Sequence, residues 1–441
     1  MPFLPGRPSP LWSTATTFVT NGAVAFLSLV NVLIVSRSLG PVGRGAVVFL
    51  MTISAVTSRL CALGVQEANV NIAGAEPDTR RSLATNSLVF AALLGAAGSG
   101  TLAVLIALFP GIAAGTSTGL RWVALACVPV LLVQFYLWRL IQADYRFAAA
   151  NVVLLITPLA NVILNGAFAA AGTLSVGRAF GVWVGGQAVS ALVLVVYVVV
   201  RLSGFGRPDA ALGRRAFRFG LKSHIGRVMQ LGNFRLDQWL LGAISGPRQL
   251  GLYSVAVAWS EALFYLPTAV ALVQRPDLVR TDTREAVRRG TAAFRVSLIA
   301  TIPLAILTFA LAGILCEGVF GSSFAGAVPQ LRILVLGAFG MLALRIFGNV
   351  LIARGRPLLE SAAIGTALLT TIGLDLALIP PFGGKGAAIA STVAYSVGGA
   401  MAIAIVARTL GARLGDLRPR RGDLSLAARA PDRLEPPGES A

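Results

Sequence analysis

The chain has 441 residues, of which 56% are hydrophobic and 12% are charged, and its mean hydropathy is +0.78. Charged residues alone make up about a quarter of an ordinary soluble domain, so this composition excludes that class and predicts an all-α polytopic membrane protein. The formal net charge of +19 comes from basic residues dispersed through loops between apolar segments. Because they form no single basic face, we expect no nucleic-acid partner.

Twelve apolar segments are long enough to cross a bilayer, which takes about 20 residues of helix. The first six lie at 12–36, 45–70, 83–109, 119–141, 149–172 and 179–201, and the second six at 216–243, 250–273, 291–317, 328–352, 358–380 and 386–409. An even number places both termini on one side. The loops on that side hold the larger share of Lys and Arg, which predicts that both termini are cytoplasmic.

The first apolar segment is longer than the core of a signal peptide, and no cleavage site of small residues follows it. We expect it to remain as the first spanning helix. At the other end, residues 411–441 are rich in Arg, Pro, Asp and Glu, which is typical of a disordered tail. Cys61, Cys127 and Cys316 lie singly in apolar segments and match neither a disulfide framework nor a metal site. The sequence therefore indicates no metal and no bound cofactor.

The two halves of the chain resemble each other. Gly40 to Gly45 reads GPVGRG between the first two segments, and Gly246 to Gly251 reads GPRQLG between the seventh and eighth. Both halves would begin on the same side, so the repeat is parallel, with an axis along the membrane normal. We predict one six-helix lobe at 1–205, a second at 206–410, and a tail. In transporters, such a repeat places the substrate between the halves near mid-depth.

Residues 217–267 are apolar enough to cross the membrane but contain ionisable side chains. These are His224, Arg227, Arg235, Asp237 and Glu261. Such groups cost free energy at membrane depth, so they normally face a protein interior or a wet cavity. At about 100° per residue, His224, Arg227 and Arg235 fall in one stripe about 80° wide, with Leu231 between them. The stripe indicates an anion site; the alternative is a set of structural ion pairs with neighbouring helices.

Several stretches resemble the multidrug/oligosaccharidyl-lipid/polysaccharide (MOP) exporter superfamily, and within it the polysaccharide transport branch of Wzx-type flippases. They are the basic turn from Ala353 to Arg356, LIPPFGGKGAAIAS from Leu378 to Ser391, SRSLGPVGRGAVVFL and LDQWLLGAISGPRQLGLYSVA. The resemblance covers residues 12–409. It implies a multi-pass flippase of the cytoplasmic membrane that moves an undecaprenyl-diphosphate-linked oligosaccharide to the outer leaflet by alternating access. The implied partners are this lipid, the bilayer and other membrane proteins of polysaccharide assembly.

In proteins of that branch, basic residues on the first two helices of each half line a cationic central cavity. Arg59, Arg227 and Arg235 occupy matching elements, whereas Asn21 and Asn31 leave the first helix uncharged. Arginine also suits a diphosphate on chemical grounds, because its planar fork matches phosphate oxygens bidentately and stays protonated. The candidate substrate-binding residues are Arg59, His224, Arg227, Arg235 and Arg345. For Arg59 and Arg345, the alternative is snorkelling to the inner headgroups.

Asp237 and Glu261 are the candidate coupling residues. Either carboxylate could neutralise an arginine between substrates or bind a proton or Na⁺, and the alternative is a structural ion pair. Asp375 aligns with Asn165 of the first half and is expected to be a helix-end group. Transport would then be coupled to a proton gradient, a Na⁺ gradient or the membrane potential.

Two other functions are weaker. An enzyme acting on sugars would need a sizeable extramembrane loop, which the short predicted outer loops do not provide, and no Walker A sequence is present. We therefore do not expect an enzyme. A cation-coupled multidrug exporter of the same superfamily is the alternative function. Its cavity would carry embedded carboxylates for cationic drugs, whereas the embedded arginines outnumber Asp237 and Glu261 here.

Overall fold

A computed structural model describes residues 10–113, 115–143 and 147–418. Within these ranges no strand occurs. The helices are α1 (Pro10–Cys61), α2 (Val65–Ala75), α3 (Arg80–Leu108), α4 (Thr118–Ala143), α5 (Phe147–Ala170), α6 (Val176–Arg201), α7 (Ala210–Ala262), α8 (Tyr265–Arg280), α9 (Thr283–Ala310), α10 (Ala327–Ala353), α11 (Pro357–Phe382) and α12 (Gly384–Leu410). The predicted all-α fold class is confirmed.

Nine helices among the described residues are long and apolar enough to cross a membrane. The first of these stretches, Val19–Cys61, has 43 residues. At 1.5 Å per residue it would be about 65 Å long if straight, roughly twice the thickness of a bilayer core. Helix α7 is absent from the nine because ionisable side chains interrupt its apolar sequence. With 53 residues α7 is long enough to cross a membrane, so its length does not explain its absence from the nine.

A glycine followed by proline bends each of the two longest helices. Gly40 in α1 has φ 64° and ψ −175°, and Gly246 in α7 has φ 77° and ψ 178°. Residues with a Cβ rarely adopt this conformation, and the following Pro41 and Pro247 have no N–H to continue the helical hydrogen bonds. The bends divide α1 and α7 into two arms each. With this division, the described helices account for the twelve predicted spans.

The second span of each half is also broken near its far end. In the first half α1 ends at Cys61 and α2 begins at Val65, and in the second α7 ends at Ala262 and α8 begins at Tyr265. Bends and breaks thus recur in the same order in both halves. This recurrence supports the predicted parallel repeat, although the lobe boundaries at 205 and 206 remain a prediction.

The two Gly-Pro motifs contact each other through equivalent atoms. A Cβ on Gly45 would overlap the carbonyl oxygen of Pro247, and a Cβ on Gly251 would overlap that of Pro41. We call this contact the glycine–proline seam. A reciprocal contact, in which each copy presents the same atoms to the other, is the mark of a local two-fold axis. The seam therefore joins the two copies of the repeat backbone to backbone.

A buried apolar cluster positions α2 against α3 and α4. Ala68 of α2, Leu83 of α3 and Leu137 of α4 are members of it. Beside the cluster, Asn69 Nδ2 donates to Ser87 Oγ at 2.8 Å. Without a hydrophobic driving force between spanning helices, close packing and interhelical hydrogen bonds of about 0.6 kcal/mol each hold them together. These contacts fix the orientation of α2 and α4, which carry two side chains of the candidate site.

The chain divides into two compact units. The first comprises Met1–Val255, Cys316–Val328 and Leu374–Ala387, and the second comprises Ala256–Leu315, Pro329–Gly373 and Ala388–Ala441. The described residues end at 418, so most of the predicted tail lies outside them. The cytoplasmic position of the termini also remains a prediction.

Candidate functional site

Four arginines of the first unit lie close enough for their charges to interact. Arg59 is repelled by Arg227 and Arg235, and Arg139 by Arg227. We call these four residues the arginine cluster. They come from α1, α4 and α7, and α2 adds the carboxylate of Glu67. The four guanidinium groups and the one carboxylate carry a formal charge of +3.

Glu67 joins two members of the cluster through one oxygen atom. Its Oε1 lies 2.8 Å from Nη2 of Arg227 and 3.3 Å from Nη2 of Arg139. The glutamate side chain is 16% exposed, whereas that of Arg227 is 43% exposed. Among the described residues, Oε1 of Glu67 and Nε of Arg139 are buried without a well-aligned hydrogen bond. The ion pairs therefore leave hydrogen-bonding capacity unused on both sides.

Arg59 reaches the cluster across an aromatic ring. Its guanidinium carbon lies 5.5 Å from the centre of the Phe135 ring, and Arg59 is exposed. A cation over an aromatic face is stabilised by about 0.5–2 kcal/mol without neutralisation of its charge. Arg59 therefore keeps its positive charge available to an anion.

The three residues of the predicted stripe all face one segment, residues 59–67. Arg227 contacts Glu67, and Arg235 interacts with the charge of Arg59. The His224 ring is buried, and its Nε2 lies 3.0 Å from the carbonyl oxygen of Leu60. Because a carbonyl oxygen only accepts, this hydrogen bond requires a proton on Nε2. His224 thus ties α7 to the end of α1, while the two arginines extend into the cluster.

Asp237 is not part of this stripe, and its charge interacts with that of a second carboxylate. Its Oδ2 accepts a hydrogen bond from the hydroxyl of Tyr253 at 2.6 Å. Asp375 is fully buried, and both of its oxygens lack a hydrogen-bond partner among the described residues. It lies close enough to Asp237 for the two charges to interact. The expectation that Asp375 is a helix-end group is wrong: it lies inside α11. Asp237 and Asp375 form a carboxylate pair.

The first half holds a neutral counterpart of this pair. Asn165 Nδ2 donates to Oδ1 of Asn31 at 2.8 Å, and both side chains are buried. Asn31 and Asp237 are separated by the same number of residues as Gly40 and Gly246. Two amides can hydrogen bond as neutral groups, whereas two carboxylates repel each other unless a proton or a cation is shared. The repeat therefore places a titratable pair in one half only.

Arg345 and Glu261 belong to the second unit. The charge of Arg345 interacts there with Glu360 and Tyr395. Glu261 is half-buried in the last turn of α7, immediately before the break that precedes α8. Their roles as a substrate-binding and a coupling residue remain predictions. No group of three or more His, Cys, Asp or Glu side chains suited to a metal occurs in the described part of the chain.

Sequence reasoning missed two members of the site. Arg139 lies inside the predicted span 119–141, and Glu67 lies inside the predicted span 45–70. An ionisable residue within a span is a signal for a site in both cases. Their pairing could not be predicted, because it depends on the packing of α2 against α4.

A family model described as "Polysaccharide biosynthesis protein" matches residues 34–329, which is more than half of the chain. The chain belongs to this family. The match confirms the resemblance to the polysaccharide branch of the MOP superfamily. An uncharacterized membrane protein of Methanocaldococcus jannaschii is 27% identical to this family member over 222 residues. The match spans 48% of the chain and 44% of that relative, so the chain covers under half the length of the curated relative it matches.

Solved structures with the same fold include a flippase and a drug transporter. The lipid II flippase MurJ in an inward closed conformation has a TM-score of 0.74 at 13% identity, over 91% of this chain and 88% of MurJ. An inward-facing multidrug resistance MATE transporter of the MOP superfamily has a TM-score of 0.70 at 16% identity, over 88% and 96%. At such low identity the likeness shows the fold alone. The family member is a multi-pass membrane protein with the fold of MOP-superfamily transporters.

Proposed function

We propose that the protein is a flippase that moves a polyprenyl-diphosphate-linked oligosaccharide across the cytoplasmic membrane for the synthesis of a cell-surface polysaccharide. The observation that carries the proposal is the arginine cluster, in which the carboxylate of Glu67 contacts two of the four guanidinium groups. A lipid-linked sugar that crosses the membrane must exchange the hydration of its diphosphate for protein donors. Guanidinium groups make charge-assisted, bidentate hydrogen bonds to phosphate oxygens and remain charged when partly desolvated. Family membership supports the same cargo class.

The cluster is positioned for a cargo that moves between two closures. Beyond Arg235, towards the bend of α7, lies the glycine–proline seam. In the other direction, Gly64 and Gly220 are so close that a Cβ on Gly220 would lie 2.6 Å from the carbonyl carbon of Gly64. Closed backbone contacts on both sides of a charged group are what alternating access requires of an occluded state. Opening of either contact would widen access to the arginines from one side of the membrane.

The carboxylate pair supports coupling to a cation. Asp237 and Asp375 are both buried and their charges interact, so the pair is stable when a proton or a small cation such as Na⁺ neutralises part of its charge. The exchange of that cation would supply free energy for transport. We expect Asp237→Asn and Asp375→Asn to remove the dependence of transport on pH or Na⁺. Transport by both variants with unchanged ion dependence would remove the pair from the coupling mechanism.

Binding and export assays test the cargo. We expect Arg227→Ala and Arg235→Ala to stop export of the glycan at normal protein abundance, and to weaken the binding of undecaprenyl diphosphate by about 10- to 100-fold. Lysine at either position should restore binding and export only partly, because it keeps the positive charge but cannot make the bidentate hydrogen bonds of a guanidinium group. Leu231→Ala, on the same stripe, is the control and should change binding much less. Normal binding and export by both alanine variants would contradict the proposal.

A multidrug exporter is the second candidate, supported by the fold it shares with MATE transporters. The two functions predict opposite preferences for charge, because a cationic drug is repelled by the arginine cluster. Deletion of the gene separates them as well. A flippase deletion should abolish one surface glycan and cause its lipid-linked precursor to accumulate inside the cell, whereas a drug-exporter deletion should only sensitise the cell to cationic compounds.

A further inference from the structure

Glu67 is a negatively charged group at the position where an anionic cargo would bind. Its Oε1 contacts Nη2 of Arg227 and Nη2 of Arg139, two atoms that can donate to a phosphate oxygen. The side chain reaches them from α2, whose orientation is fixed by the hydrogen bond of Asn69 and by the apolar cluster around Ala68. The carboxylate is therefore held among the arginines by its own helix.

The contacts of Glu67 are those of a group that a better ligand can displace. One oxygen serves both arginines, and neither contact is a well-aligned hydrogen bond. A phosphate presents more oxygens and more negative charge than a carboxylate to the same two guanidinium groups, and it can bind each of them bidentately. Arg227 remains 43% exposed, so its guanidinium is accessible while Glu67 is bound. Arg139 keeps two further contacts, to Oε1 of Gln142 at 3.0 Å and to the Trp138 ring at 5.3 Å, which hold it in place without Glu67.

We propose that Glu67 substitutes for the phosphate of the cargo: its carboxylate binds Arg139 and Arg227 while the site is empty and is displaced when the diphosphate binds. The inference rests on the proposed function. Two neighbouring guanidinium groups without a counter-charge would repel each other and resist closure of the site, so Glu67 stabilises the empty protein. It also lowers the apparent affinity for the cargo, because binding must first free the arginines. Release becomes possible because Glu67 competes for the same donors.

Binding of undecaprenyl diphosphate to the purified full chain in lipid nanodiscs tests this role. If Glu67 occupies the arginines nine-tenths of the time, its removal should tighten binding about tenfold. We therefore expect Glu67→Gln to bind the lipid more tightly than the wild type and to export less glycan, because release becomes slower. Glu76→Gln is the matched control: Glu76 directly follows α2 but pairs with Arg215, so its loss should leave affinity unchanged.

Weaker or equal binding by Glu67→Gln would overturn the inference, since a carboxylate that merely positions the arginines should weaken binding when it is lost. If Glu67→Gln fails to accumulate in the membrane, Glu67→Asp replaces it, because the shorter acid keeps the charge and retreats from the arginines. Tighter binding of the lipid by Glu67→Asp supports the proposal that Glu67 takes the place of the phosphate, and equal or weaker binding refutes it. The proposed function fails separately, when Arg227→Ala binds the lipid as well as the wild type does.

Discussion

Substitution of Gly45 or Gly251 by alanine should destabilise the protein through the glycine–proline seam. A Cβ on Gly45 would lie 2.5 Å from the carbonyl carbon of Pro247 and 2.9 Å from the nitrogen of Gly251, besides overlapping the Pro247 oxygen. The opposing group is backbone and cannot move by a change of rotamer, so the two copies must separate. Overpacking of this kind costs about 1–3 kcal/mol in free energy of unfolding. At Gly185, with open space around it, alanine should instead stabilise its helix by roughly 0.5–1 kcal/mol.

Chemical denaturation in detergent, followed by circular dichroism, measures these differences. The double variant Gly45→Ala/Gly251→Ala is the decisive one. Both methyl groups press on the same contact, so the separation caused by the first makes room for the second. The double variant should therefore lose less free energy of unfolding than the two single variants together, by about 0.5 kcal/mol or more. Additive losses would show that the two sites are independent, and single variants as stable as the wild type would refute the steric reasoning.

Three further predictions concern topology, pH and Glu261. A cysteine introduced at Asp282 should be protected from impermeant reagents in intact cells, whereas cysteines at 318–327 should react; the reverse would invert the orientation. The bidentate hydrogen bond from Arg215 lowers the pKa of Glu76 below its ordinary 4.5, so this contact stabilises the protein above that pH and is lost as pH falls through the lowered value. The difference in thermal stability between wild type and Glu76→Gln should therefore disappear in acid. We expect Glu261→Gln to lower the amount of folded protein, as loss of an ion-pair partner does; normal abundance with loss of ion-dependent transport would instead assign it to coupling.

Local chemistry made much of the fold predictable. A Gly-Pro step ends one helix and starts another wherever it occurs, so the two motifs located the bends of α1 and α7 before any contact was known. The stripe of His224, Arg227 and Arg235 was equally accessible, since the angle between side chains on one helix follows from its 3.6-residue period. Both predictions depend only on residues that are close together in the sequence.

The partners of these groups were not predictable. Glu67 and Arg139 meet because α2 packs on α4, and a hydropathy profile carries no information about that packing. Asp375 was expected to be a helix-end group, but its charge interacts with that of Asp237, which lies on another helix. The alignment of Asp375 with Asn165 is a better indicator of the position of Asp375 in the fold. Each half holds a pair at these positions, and the first is an amide pair between Asn165 and Asn31.

At the glycine–proline seam, the backbone of each copy of the repeat limits the size of the side chains that the other copy can carry there. Any enlargement at Gly45 is resisted by Pro247, and any enlargement at Gly251 is resisted by Pro41. After a duplication, most positions of two such copies can drift apart freely, as Asn31 and Asp237 show. At the seam they cannot, because a change in one copy is tolerated only where its counterpart still offers bare backbone. In libraries of variants, the residues accepted in one Gly-Pro motif should therefore depend on those in the other. A larger residue should be accepted on one side of the seam only when the opposite side has shifted to make space.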